Sequence, residues 1–287
     1  MLCKKYQHAV LMPAFSQKQC SHCGRLNISS HTPPEDLCPE CSEKLGWCQR
    51  CGRPMRLLIA IEGADGSGKA TQAKLLAEKL IERGAATRQL SFPCYDSESS
   101  ALVRMYLNGA MGKHPDDVNA YAASTFFAVD RYASYKSDWA EQYQNGDIIV
   151  ADRYTMSNAI HQGAKMDNGQ CYDYLDWLYE FEFERMGIPK PDIVFYLDVD
   201  NQTAARLRQK REAETNTAPD IHEADLEYQA RCRESAIRIA HYSGWEIVRC
   251  VGKDGAMRTA GDISAEIYHR LDEFAHAHNY ANWPSAK

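Results

Sequence analysis

Two groups of residues in this 287-residue chain have the types and spacing to do chemistry. The first is Gly63-Ala64-Asp65-Gly66-Ser67-Gly68-Lys69-Ala70-Thr71. Glycines let backbone N–H groups turn inward around an anion without Cβ clashes, and the lysine adds a point charge for the β- and γ-phosphates of a nucleotide. The second is three C-x-x-C pairs, Cys20/Cys23, Cys38/Cys41 and Cys48/Cys51, with fourteen residues between the first two and six between the last two. Gly24 and Gly52 follow two of the pairs, where a glycine relieves crowding as N–H groups point at sulfur. Two such pairs complete a tetrahedral four-cysteine zinc site. A third pair is surplus to one ion. Either a second zinc is held with help from Cys3, His8, His22 or His31, or one pair is reduced and idle. A closed four-cysteine site offers no open position for chemistry, so the module is expected to supply structure and contact with a protein or nucleic acid.

An anion-binding loop works only when a strand precedes it and a helix follows. Residues 57–61 are a short apolar run, and the amphipathic pattern over 69–83 predicts a helix whose N-terminus adds a favourable dipole. Further buried strands are expected at 148–151 and 193–197, with weaker ones at 87–92 and 245–251. Helical stretches fall at 120–143, 173–186 and 225–242. Strands alternating with helices predict an α/β domain over residues 55–287, a parallel sheet with helices on both faces. Residues 1–54 form a separate cysteine-rich module, with Pro54 at the junction.

Composition sets the bounds. With 44% hydrophobic and 25% charged residues, the chain reads as an ordinary globular protein. A net charge of −6 argues against a general nucleic-acid binder. No stretch approaches the ~20 apolar residues needed to cross a bilayer. The first fourteen residues lack the apolar core of a signal peptide, so no membrane association and a cytoplasmic location are expected. Seven of the eleven cysteines lie in the first 51 residues, which favours metal over disulfide in such a compartment. Cys94, Cys171, Cys232 and Cys250 are scattered and read as core or incidental residues.

Five segments, in order, resemble the thymidylate kinase family. Gly63 to Gln72 looks like its phosphate loop, and Phe92-Pro93 like its F-P element. Phe126-Phe127-Ala128-Val129-Asp130-Arg131 is similar to the segment that holds the nucleobase. Asp152-Arg153-Tyr154, with Ser157 and Gln162 beyond, looks like its D-R-Y element, and Leu197-Asp198-Val199 like the strand before the lid. The resemblance covers about residues 56–275 and implies a P-loop NTPase-type sheet, a homodimer, and phosphorylation of dTMP to dTDP with ATP and Mg2+.

It also implies roles. Lys69 and the amides of residues 63–71 would hold the ATP phosphates, with Asp152 near magnesium. Arg153 would clamp the acceptor phosphate, Asp65 contact the sugar 3′-hydroxyl, Phe127 stack on the base and Arg131 bond its edge. Phe92, Tyr154 and Gln162 would complete the acceptor side. The loop position that carries an arginine in some relatives is Gly66. A catalytic arginine would therefore come from the lid at about 203–223, with Arg211 first choice beside Arg206, Arg208 and Lys210. Two departures stand out: Ala70 replaces the usual magnesium-binding Ser or Thr, so Thr71 or water takes that place, and Cys94 replaces an arginine. These keep two alternatives open, a related kinase for another nucleotide or nucleoside, and a nucleotide-sensing regulatory protein with a zinc-mediated partner contact.

Overall fold

The computed structural model describes residues 2, 9–45, 47–52, 55–215, 219–278, 280 and 283. In the cysteine module, β1 (Met12–Gln19) and β2 (Leu26–Thr32) pair antiparallel as a hairpin, followed by the short helix α1 (Pro39–Leu45). Its small core is Cys20, Leu37, Cys38 and Cys41. So few apolar side chains give a module of this size little folding energy of their own, which is where a metal contributes.

The rest of the chain is organised around β3 (Leu57–Gly63), every residue of which is buried. Beside it stand β4 (Thr87–Ser91), β5 (Ile148–Asp152), β6 (Ile193–Asp198) and β7 (Glu246–Arg249). They form one five-stranded sheet in the order β4-β5-β3-β6-β7, and every pairing is parallel. The apolar runs are continuous because both faces of a parallel sheet are covered. Along β3, Leu58 and Ala60 enter one core with Ile149, Ala151 and Tyr174, while Leu57, Ile59 and Ile61 enter the other with Leu76, Val150 and Phe195. Each of the Leu, Ile, Val and Phe side chains contributes about 1.5–3 kcal/mol by leaving water.

The covering helices are α2 (Lys69–Glu82), α3 (Ala101–Leu107), α4 (Ala120–Ser134), α5 (Ala140–Asn145), α6 (Thr155–Gly163) and α7 (Asn168–Tyr179). They continue with α8 (Asn201–Thr215), α9 (Ile221–Ala224), α10 (Leu226–Ser243) and α11 (Ala260–Ala277). Two stretches that read as single helices contain π-helical turns. Tyr135–Trp139 joins α4 to α5, and Glu180–Arg185 extends α7. A π turn adds a residue to the turn and shifts which side chains face inward, which a 3.6-residue pattern cannot forecast. No helix among the described residues is long and apolar enough to cross a membrane.

Sheet order matters for function. From β3 the chain crosses first toward β4 and β5 and later to the opposite side, toward β6 and β7. Open α/β sheets bind ligands at the carboxyl ends of strands where the winding reverses. The loop after β3, the turn after β5 and the segment after β4 all emerge at those ends.

Candidate active site

The phosphate loop leaves β3 and enters α2 with Gly66 and Gly68 at φ 84° and 89°. Gly66 has a second reason to lack a side chain. A Cβ there would lie 2.9 Å from the Ala204 carbonyl oxygen and 3.1 Å from the Arg208 nitrogen, both backbone atoms of α8. The lid helix thus rests directly on the loop, and any larger residue would push it off. Lys69 is 7% exposed, donates to the Ala64 carbonyl oxygen at 2.7 Å and lies 3.6 Å from Asp65. Burial and the neighbouring Arg153 charge bring its ammonium down to about 8. The Ser67 hydroxyl is buried without a partner inside the same loop.

Beyond β5 the chain turns through Asp152-Arg153-Tyr154. Arg153 has φ 65°, the one non-glycine residue in the left-handed region among the described residues. Such a conformation costs roughly 1–3 kcal/mol and persists only where the surroundings over-determine it. Here they do. The Arg153 nitrogen donates to the Ile61 carbonyl oxygen at 3.0 Å, and the Tyr154 nitrogen to Glu62 Oε1 at 2.8 Å. Ser157 Oγ donates to Glu62 Oε2 at 2.7 Å. The Arg153 guanidinium meets Asp65 of the phosphate loop and Ser157 of α6. For Asp65, burial raises the carboxyl pKa, but the Arg153 and Lys69 charges outweigh it and hold it well below the usual carboxylate range. Asp152 is 8% exposed and its Oδ1 is buried with no hydrogen-bond partner, a carboxylate oxygen whose chemistry suits a cation or its waters.

These groups face the segment from α4 across one cleft of about 780 Å³. Asp65, Gly66, Gly68, Lys69, Ala70 and Thr71 line one end; Phe92, Phe127, Arg131, Arg153, Tyr154 and Gln162 are also in its wall. Phe127 is half-buried and meets the Tyr106 ring edge-on at 6.3 Å, while Phe126 packs into the neighbouring core. Arg131 is 2% exposed and is held through Nε and Nη2 by Glu182. Tyr154 gives its hydroxyl to the Pro189 carbonyl oxygen and packs edge-on against Phe92, so what it offers the cleft is ring surface. Gln162 is wholly buried, and neither amide atom has a protein hydrogen-bond partner.

Several residues in or behind the cleft wall were not singled out from sequence. Glu62 anchors the Arg153 turn; its only sequence signal is an acid at the end of an apolar run. Asn158 and His161 occupy the inner face of α6, and Asp220, His222 and Glu223 return from the lid. His161 stacks on His222 at 5.1 Å, and His222 Nε2 lies 2.8 Å from the Tyr106 hydroxyl. Burial and then Arg153 push His161 down to about 3, so the ring is neutral. Burial, with Asp65 and Glu223 close by, raises the Asp220 carboxyl to about 6. On the lid helix, Arg206 is exposed and Arg208 buried; the Arg211 side chain lies outside the described residues.

The thymidylate kinase family model matches residues 61–253. The chain belongs to the thymidylate kinase family. It is 34% identical to a probable thymidylate kinase of Pyrobaculum aerophilum over 73% of this chain and 93% of that one. Against the thymidylate kinase of Mycobacterium tuberculosis it is 32% identical over 61% of this chain and 81% of that one. A solved thymidylate kinase from Candida albicans superposes with a TM-score of 0.55 at 22% identity, covering 79% of this chain and 94% of that one, which supports the same fold. A thymidylate kinase is a phosphotransferase, and membership of the family implies ATP and Mg2+.

The thymidylate kinase match begins beyond the cysteine module, where four of the six candidate ligands come together. The sulfurs of Cys20, Cys23, Cys38 and Cys41 all lie within 4.8 Å of one another, with Cys23 and Cys38 at 3.8 Å. Four thiolates at ~2.3 Å around zinc stand about 3.8 Å apart, so the set fits a tetrahedral ion. Gly24 donates its N–H to the Cys20 carbonyl oxygen at 2.9 Å, and Gly52 to that of Cys48 at 2.8 Å, both at positive φ. The third pair therefore has the knuckle backbone but stands outside the cluster, with Cys48 fully buried and Cys51 half-buried. His22 and His31 do not join the four-sulfur set, while Cys3, His8 and Pro54 lie outside the described residues.

Proposed function

We propose that this chain transfers the γ-phosphoryl group of ATP to dTMP, giving dTDP and ADP. The observation that carries the reading is the shared cleft, which the loop around Lys69 and the acceptor-side residues Phe127, Arg131, Arg153 and Gln162 line together. An oxygen of the acceptor phosphate attacks the γ-phosphorus as the bond to the β–γ bridging oxygen breaks, and the developing charge must be neutralised from several sides. Lys69 and the loop amides hold the donor phosphates. Arg153 presents a fork of donors suited to the acceptor phosphate, for which the Asp65 carboxylate keeps its place between transfers. Asp152, with its unpaired Oδ1, would hold magnesium or its waters, whose charge offsets that of the phosphates. Ala70 has no oxygen to offer, and Thr71 follows it at the start of α2.

Base choice rests on few groups. Phe127 supplies a face for stacking. The two N–H groups of Asn158 are directed at Ser124 and Glu182, which leaves its carbonyl oxygen as an acceptor. Arg131 keeps its free edge as a donor, since Nε and one N–H of Nη2 are taken by Glu182. A donor beside an acceptor complements the 4-carbonyl and N3–H of thymine. The lid arginine remains Arg211 on the sequence reading. In a coupled assay the purified chain is expected to turn over with dTMP and ATP; turnover with another monophosphate and none with dTMP would defeat the assignment.

Residues 1–54 form the zinc module and 55–287 the catalytic domain in this reading. Reduced thiols able to bind zinc accord with the cytoplasm. Metal analysis is expected to return about one zinc per chain for the single four-cysteine set, and a chelator to release it and unfold the module while the dTMP-binding domain keeps its melting transition. Iron, or no metal in protein purified without chelator, would overturn this assignment. Leu102 and Met105 of α3 and Tyr121, Val129 and Tyr132 of α4 are exposed apolar side chains at helical spacing, a face suited to a second copy of the chain. Equilibrium sedimentation is expected to give a dimer that Val129→Glu converts to monomer; a monomeric parent protein contradicts it.

A further inference from the structure

Glu182 is wholly buried and does not itself line the cleft. It sits in the π-helical turn Glu180–Arg185, where Glu180 and Glu184 face solvent and only Glu182 turns inward. Four donors converge on its carboxylate. Arg131 supplies Nε to Oε2 at 2.7 Å and Nη2 to Oε1 at 2.5 Å, a fork-on-fork pair. Thr155 Oγ1 donates to Oε2 at 2.8 Å, and Asn158 Nδ2 to Oε1 at 3.2 Å. A carboxylate has about four lone-pair sites, so this one is saturated and its geometry is fixed.

The partners matter because of what they have left over. Arg131 and Asn158 both line the cleft, from α4 and α6. With Nε and one N–H of Nη2 committed, the guanidinium offers the cleft its free edge, the N–H groups of Nη1 and the second N–H of Nη2. The second N–H of Asn158 goes to the Ser124 carbonyl oxygen at 3.1 Å, so its amide cannot turn over without stranding two donors. One buried acid thereby sets a donor beside an acceptor. That order suits a ring carbonyl next to a ring N–H, and it opposes an amino group next to a bare ring nitrogen.

We infer that Glu182 is a positioning residue for base recognition, holding Arg131 and Asn158 in the order that selects a 4-keto over a 4-amino pyrimidine. The inference rests on the dTMP reading above. Removing the charge while keeping the shape, as in Glu182→Gln, places an amide N–H₂ against donors of Arg131 or Asn158. The Arg131 fork or the Asn158 amide must then shift, and an Asn158 that turns over gives up its bond to the Ser124 carbonyl oxygen to present N–H₂ to the cleft, the order that suits cytosine.

The experiment compares parent and Glu182→Gln proteins with dTMP and dCMP, and measures KM for ATP and the thermal melt. The expected result is a dTMP-over-dCMP preference in kcat/KM reduced by about 10–100-fold, carried mainly by KM for dTMP, with KM for ATP unchanged. A folded variant that loses activity equally on both substrates, keeping the parent's preference, overturns the inference and leaves the dTMP assignment standing. A parent protein inactive on dTMP overturns both. Should Glu182→Gln fail to fold, Thr155→Val removes one of the four donors and keeps the ion pair. It is expected to weaken the same preference several-fold, and an unchanged preference again overturns the inference.

Discussion

Lys69→Met is expected to lower kcat for phosphoryl transfer by about 10²–10³-fold while dTMP still binds, as equilibrium titration with dTMP will show. Loss of one preorganised charge aimed at transferring phosphate oxygens costs this much where water is excluded. The side chain is 7% exposed and tethered to the Ala64 carbonyl oxygen at 2.7 Å, so its ammonium is already in place at the loop. Methionine keeps the length and fills the volume, which separates loss of charge from collapse of the loop. Folding should survive, because Lys69 is buried at the cost of its charge, its pKa brought down to about 8 by burial and by Arg153. The same shift sets a pH dependence. The working form is the protonated ammonium, present below about 8 in the free protein and lost above it. Accordingly, kcat/KM for ATP should fall as pH rises through that value, and the falling limb should be absent in Lys69→Met. Full activity in the variant would remove the phosphate loop from the mechanism.

Arg153→Met is expected to raise KM for dTMP by about 30–1,000-fold, the equivalent of roughly 2–4 kcal/mol for a charge-assisted fork to phosphate in a water-poor site. Two comparisons isolate the cause. Arg153→Lys keeps the charge but not the fork, and should recover only part of the loss. Arg153→Gly suits φ 65° and should melt higher than Arg153→Met, by up to the ~1 kcal/mol of relieved strain, without recovering dTMP affinity. Arg153→Met and Arg153→Gly leave Asp65 without its main counter-charge, and Lys69 at 3.6 Å becomes its remaining partner. If KM for dTMP stays within twofold in all three, Arg153 is a strained structural turn and the acceptor phosphate is gripped elsewhere.

The sequence alone determined the phosphate loop, the strand before it and the helix after it, because that motif is local: glycines, a lysine and a helix start within nine residues produce the cradle wherever a parallel strand feeds it. It also determined the buried strands, whose apolar runs have no other way to be satisfied, and the paired cysteines, whose chemistry follows from spacing. What it could not contain were contacts between residues far apart in the chain. Two of the expected helical stretches, 120–143 and 173–186, contain π turns, and the one at Glu180–Arg185 turns inward the glutamate that binds Arg131, 51 residues away. Glu62, at the end of an apolar strand, becomes the anchor of the Arg153 turn only because β3 and β5 lie side by side. Gly66 reads as a flexible loop residue, yet the backbone of α8 is what forbids a Cβ there. Four of six cysteines close into one cluster and two do not, a choice made by the path of the hairpin and α1. Local patterns encode elements and loops because their forces act within a turn or a strand. The partners of a buried charge are decided when the sheet order brings distant segments together, since only then is the charge removed from water and required to find them.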